Sequence, residues 1–108
     1  METNLPISFQ IILHSGNARS LALEAIRFAK NANMEEALAN LKRAKEELGL
    51  AHQIQTKLIQ DEAGENKTEI SLILIHAQDH LMNAITVRDL AEEFVSLYQK
   101  IDTRLIQS

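Results

Sequence analysis

Along its 108 residues this chain has only three glycines and one proline, Pro6, so almost nothing interrupts regular structure once the first residues are passed. Gly and Pro are the strongest local breakers of helix and strand, and a chain nearly without them must build long elements. Its apolar positions are filled mainly by Leu, Ile and Ala, while aromatic residues make up 4% and Trp is absent. Those are residues of packed helices rather than of sheets. An all-α fold is therefore expected, with residues 1–108 forming one domain, because the length suffices for a single core but not for two. The 45% hydrophobic and 24% charged content is that of a chain that folds in water. A net charge of -4 disfavours nucleic acid and anionic membrane surfaces, which require clustered Lys and Arg. Without Cys there are no disulfides or thiolate metal ligands. With no signal peptide or long apolar run either, the cytoplasm is the expected compartment and membrane insertion is not expected.

Hydrophobic spacing divides the chain into three helices, over about residues 5–30, 34–62 and 67–104. In the first, Phe9, Ile12, Leu13, Gly16, Leu23 and Ile26 fall at helical spacing. It breaks at Asn31-Ala32-Asn33, where Asn33 and Glu36 offer a capping box. The second carries Met34, Leu41, Leu48, Gln55 and Glu62 in one row, with Ala37, Leu38, Ala44, Ala51 and Leu58 beside it. Gly64 and the polar Glu65-Asn66-Lys67 end this helix, and Asn66 with Glu69 offers a second capping box. The third carries Ile70, Ala77, Ala84, Ala91 and Tyr98 in one row and Ile73, His80, Val87, Phe94 and Ile101 in the next. Leu72, Ile75 and Met82 lie off that stripe, so the first half of the helix is apolar nearly all round. A lone three-helix bundle cannot bury this surface, and an oligomer interface is the expected use of it. A helix extension is expected for the tail from Ile101 to Ser108.

Short connections imply an antiparallel up-down-up bundle, in which residue levels can be matched across the turns. A second turn centred on Glu65 puts His52 at the level of Gln78; a first turn centred on Ala32 puts His14 at the level of Leu50. All four histidines would then share roughly one layer. His76, Asp79 and His80 stand at i, i+3 and i+4, on one side of the third helix. The commonest role of an imidazole on a core seam is that of a buried, hydrogen-bonded polar group, and this is the expected role of His80 and His52. His76 lies one position off the seam, at the edge where a partner can reach it. A neutral imidazole nitrogen is a good nucleophile near neutral pH, and phosphoryl transfer to it demands mainly in-line approach and donors for the phosphoryl oxygens. Gln78, His80 or a neighbouring subunit would supply those donors.

Asp79 falls in the presumed interface. An unpaired buried carboxylate costs several kcal/mol, so it must be paired, protonated or bound to a cation. Symmetry copies converging on a rotation axis would need a shared metal; a solvated surface carboxylate is the equal alternative. Arg19, with Ser15, Gly16 and Asn17, could serve a phosphoryl site, but such residues on a helix are more often solvated or packed closely. Met34 and Met82 read as fillers, and Lys42-Arg43-Ala44-Lys45-Glu46-Glu47 as a solvated face.

Three stretches resemble a known family: Gly16-Asn17-Ala18-Arg19-Ser20, Ala51-His52-Gln53-Ile54-Gln55-Thr56 and, most specifically, His76-Ala77-Gln78-Asp79-His80-Leu81-Met82. Together they are similar to the lactose/cellobiose-type enzyme IIA proteins of the bacterial phosphoenolpyruvate-dependent sugar phosphotransferase system. Phe9-Gln10-Ile11-Ile12-Leu13-His14-Ser15 resembles the cellobiose/diacetylchitobiose branch more than the lactose branch. The resemblance implies a homotrimer of three-helix subunits and a phosphotransferase component that takes a phosphoryl group from the phosphocarrier HPr on His76. The group then passes to a IIB protein, in support of uptake of a β-linked disaccharide such as cellobiose or diacetylchitobiose. It also implies that Asp79 lies at the threefold axis around a divalent metal, with magnesium the expected ion, and that Gln78 and His80 are candidates to assist His76. In this scheme the carrier meets only proteins, and the sugar is chosen elsewhere.

The residues alone also admit a metal-binding helical enzyme or sensor with His76, Asp79 and His80 as ligands and His52 as a further candidate, since imidazole and carboxylate suit zinc and similar ions. A plain helical interaction module without chemistry is the third reading.

Overall fold

The computed structural model describes residues 6–107, with side chains through Asp102. It contains three helices: α1 (Ile7–Lys30), α2 (Met34–Ala63) and α3 (Leu72–Gln107). They pack up-down-up, with α1 lying along both other helices and α2 and α3 touching one another less. The expected onset of the first helix at Leu5 lies outside the described residues.

Each helix end has a local cause. Pro6 precedes α1, where its missing N–H costs nothing and its carbonyl accepts from Gln10 N–H at 3.1 Å. At the other end, Ala32 takes a left-handed φ of 62°. The Asn33 N–H reaches the Phe28 carbonyl at 2.8 Å and the Ala32 N–H the Ala29 carbonyl at 3.1 Å, the paired bonds of a Schellman turn. Asn33 also starts α2, accepting from Glu36 N–H at 3.4 Å, while Glu35 and Glu36 face the positive end of the helix dipole. One residue thus closes one helix and opens the next.

The second connection differs from expectation. The third helix begins at Leu72 rather than near Lys67, because Ser71 caps it: Leu74 N–H donates to Ser71 Oγ at 3.2 Å and Ile75 N–H to the Ser71 carbonyl at 3.0 Å. Asn66 and Glu69 have the right spacing but stay in the connection, and Ile70 stays exposed with them. The longer connection shifts the register by about a turn. Gln78 meets Gln55 rather than His52, their side chains bonded at 2.6 Å. Across the other turn, independently of this shift, His14 donates from Nδ1 to Glu47 at 2.6 Å, about a turn from Leu50.

Packing also selects different faces from those that hydrophobicity picks. The buried stripe of α1 is Ile11, Ser15, Ala18, Ala22, Ala25 and Ala29, while Phe9, Leu13 and Leu23 are left partly exposed. On α3 the alanine row Ala77, Ala84 and Ala91 is buried as expected, but its companions are Leu81 and Val95, not Ile73, Phe94 and Ile101. Helices that meet through Ala approach closely, so the small residues go inside and the bulky ones outside. The excess apolar surface of early α3 is as large as the sequence promised: Leu72 is 83%, Ile75 56% and Met82 54% exposed.

Candidate functional site

His76 enters solvent from the second turn of α3, two residues after the Ser71 cap bond to Leu74. It stands at the mouth of a cleft of about 380 Å³ between α1 and α3, lined by Arg19, His76, Asp79, His80, Asn83, Thr86 and Val87. The α3 members recur at three- and four-residue spacing, which puts them on one flank of the helix. Arg19 is the member contributed by α1. Beside this cleft, a shallower apolar groove is lined by Leu72, Ile73 and His76.

The His76 and His80 rings stand edge to face, with centroids 5.2 Å apart. His80 is half-buried and forms a wall of the cleft, a more open position than the buried seam residue expected. His52, expected in the core, is exposed, one position along α2 from the buried Ala51. His14 is held by Glu47, whose other oxygen accepts from Asn17 at 3.3 Å. A carboxylate can only accept, so His14 Nδ1 carries the proton. The four histidines therefore do not form one layer; His76 and His80 alone share a site.

Gln78 is two residues beyond His76, and at 100° per residue it projects from the opposite flank of α3. There it lines a different cavity, with Leu58, Ile59, Leu74 and Ile75. Its Oε1 accepts from Gln55 Nε2, which fixes the amide and leaves its own N–H groups as donors. Within one chain Gln78 thus does not line the cleft of His76.

Asp79 is exposed, on the same stripe as Leu72, Ile75 and Met82, and accepts from Asn83 Nδ2 at 3.4 Å. Among the described residues, no three His, Asp or Glu side chains gather as a metal-ligand set within the chain. This corrects the reading of His76, Asp79 and His80 as joint ligands. The two imidazoles face each other rather than a common centre, and the carboxylate is engaged by Asn83. Asn83 and Thr86 were not among the residues expected here, although continuing the 76, 79, 80 spacing by two turns leads to both.

Comparison with known proteins agrees with this geometry. A family model described as the lactose/cellobiose-specific IIA subunit of the phosphotransferase system matches residues 6–99. The chain is 60% identical over 95 residues to the lichenan-specific phosphotransferase enzyme IIA component of Bacillus subtilis, covering 88% of this chain and 86% of that one. Among solved structures, the cellobiose-specific enzyme IIA of Bacillus anthracis superposes with a TM-score of 0.88 at 58% identity, over 95% of this chain and 94% of that one. The IIA(chitobiose)–HPr complex of Escherichia coli gives a TM-score of 0.77 at 41% identity, over 89% and 93% of the respective chains. The three-helix bundle with its half-open histidine cleft belongs to the lactose/cellobiose-specific IIA family of the sugar phosphotransferase system.

Proposed function

We propose that His76 is the phosphoryl acceptor of this IIA component, taking the group from HPr and yielding it to a IIB protein. The observation that carries the reading is the position of His76: an exposed imidazole at the edge of the cleft, beside an apolar groove lined by Leu72 and Ile73. A relative from Escherichia coli has been solved in complex with HPr, which supports HPr as the donor. In the transfer, the Nε2 lone pair of His76 attacks phosphorus in line with the donor P–N bond. That bond breaks, its electron pair returns to the donor imidazole, and a proton lost from His76 Nδ1 balances the proton gained there. The same Nε2 later yields the phosphoryl group to a IIB thiolate. His80, 5.2 Å away, is placed to orient His76 or the group it carries. Gln78 would assist only from a neighbouring copy.

The exposed stripe Leu72, Ile75, Asp79 and Met82 supports a homotrimer packed through α3. Covering that stripe would enclose Asp79 among apolar side chains, where an unneutralised carboxylate is costly. Three copies of one carboxylate are a hard oxygen donor set that fits a divalent cation such as magnesium. The ion would neutralise charge at the axis and hold the copies together. The transported sugar is, in this reading, a β-linked disaccharide such as cellobiose or diacetylchitobiose; relatives named for lichenan and N,N'-diacetylchitobiose support that branch. The place of action is the cytoplasm, and no helix among the described residues is long and apolar enough to cross a membrane.

Incubation with phosphoenolpyruvate, enzyme I and HPr should add one acid-labile phosphoryl group per chain, located on His76 by mass spectrometry. His76→Ala should abolish it; undiminished labelling of that variant would sink the assignment. Asp79→Leu should remove the metal and leave His76 open to labelling.

A further inference from the structure

We propose, on the reading that His76 carries the phosphoryl group, that Arg19 is a phosphoryl-binding residue, reaching from α1 across the cleft to the oxygens of phospho-His76. Among the residues lining the cleft, Arg19 alone has a permanent positive charge. A phosphoryl group brings close to two negative charges into the cleft, and a part-enclosed space with no fixed positive charge would hold them poorly. Asn83 and Thr86 offer only neutral donors, already given to Asp79 and to the Met82 carbonyl. The guanidinium offers a planar fork of N–H groups that matches two phosphoryl oxygens at once.

Arg19 is also unemployed in a way that the other arginines among the described residues are not. Arg43 donates to Asn40 Oδ1 at 2.7 Å and lies 4.0 Å from Glu36; Arg88 is paired with Glu92. Arg27, in the last turn of α1, meets the negative end of the helix dipole. Arg19 is in mid-helix, exposed, with no ion pair among the described residues. The nearby carboxylate of Asp79 is turned along its own helix to Asn83, so it does not neutralise Arg19. An arginine in mid-helix, left without a partner at the rim of a cleft holding two imidazoles, is what an arriving anion requires.

The test is the rate of His76 labelling by phospho-HPr in the full-length assembled protein, for Arg19→Gln and Arg19→Lys beside the wild type. Arg19→Gln should slow phosphoryl uptake at least about tenfold with native mass unchanged, and Arg19→Lys should recover part of the loss, as expected when a charged donor contacts the transferred group. An Arg19→Gln rate within about twofold of wild type would overturn the proposal, since a cation on the phosphoryl group cannot be that dispensable. A second measurement needs no variant: the Arg19 Nε–H resonance of the wild-type protein should shift on phosphorylation of His76. No shift overturns the proposal even if Arg19→Gln disturbs assembly. Failure of wild-type His76 to label at all is a different result, because it removes the phosphocarrier reading together with Arg19's part in it.

Discussion

Toward the α1–α2 turn the helices meet through alanines: Ala18, Ala22, Ala25 and Ala29 face Ala37, Ala44 and Ala91, with Leu41 and Val95 closing the cluster. At the opposite end, near His76, the interior is Ile11, Ala51, Leu58, Ala77 and Leu81, fewer residues and larger ones. The first region is tied by a three-residue turn in which Asn33 serves both helices; the second by an eight-residue connection, 64–71, and by the Gln55–Gln78 bond. Close alanine contacts leave helices little room to separate. The Leu72–Ile73 groove lies at that end, and the His76 cleft opens there and runs back along α1 and α3 to Arg19 and Val87, beside the alanine cluster. One half of the bundle sets the spacing of the helices, while the other presents chemistry and surface to partners.

The sharpest way to break this contrast is to empty the thinner half. Leu81 is fully buried and is one of the few large side chains joining α3 to its neighbours there. Leu81→Ala should cost about 2–5 kcal/mol of stability, since little else can collapse into the space. Urea unfolding gives the number. A loss under about 1 kcal/mol would mean that this end is already loose enough to absorb a cavity, and that the core there does not set the position of His76.

Part of this division was legible in the sequence. The helix count, the Asn33 cap and the buried α2 row Ala37, Ala44, Ala51 and Leu58 follow from spacing and cap chemistry, which are local. The buried face of α1 did not follow, because a helix apolar on two sides gives periodicity no means of choosing between Phe9, Leu13, Leu23 and the alanines opposite. Only the close approach of neighbouring helices makes that choice. The start of α3 is not legible because Asn66-Glu69 and Ser71 are both chemically sound caps, and the later start puts Gln55 rather than His52 at the level of Gln78. At the site, the 76, 79, 80 spacing brought the α3 residues together correctly. Arg19 is 57 residues away along the chain, and nothing local ties it to His76.

A smaller effect is expected from overfilling the tight half. Ala44 is fully buried against α1 and α3. Ala44→Leu should cost about 1–3 kcal/mol, because the helices must part to admit the added carbons. The same substitution at Ala39, only half-buried on α2, should be nearly silent. Thermal unfolding of the two variants makes the comparison, and equal melting temperatures would show that the alanine half is not packed closely enough to fix helix spacing.

The smallest change bears most directly on the site. Ser71→Ala removes the oxygen that accepts from Leu74 N–H, and the loss of such a cap costs about 0.5–2 kcal/mol. The cost falls on the first turn of α3, where Leu72 and Ile73 line the groove beside His76. Hydrogen exchange should therefore accelerate at Leu74 and Ile75 while the amides around Ala91 keep their protection, since the alanine half does not depend on this cap. His76 itself, one turn further in, should still accept a phosphoryl group, but from HPr more slowly, because the frayed turn is part of the surface offered to the donor. Faster exchange spread evenly along α3 would instead show that the two halves open together, and that the site is no looser than the scaffold that carries it.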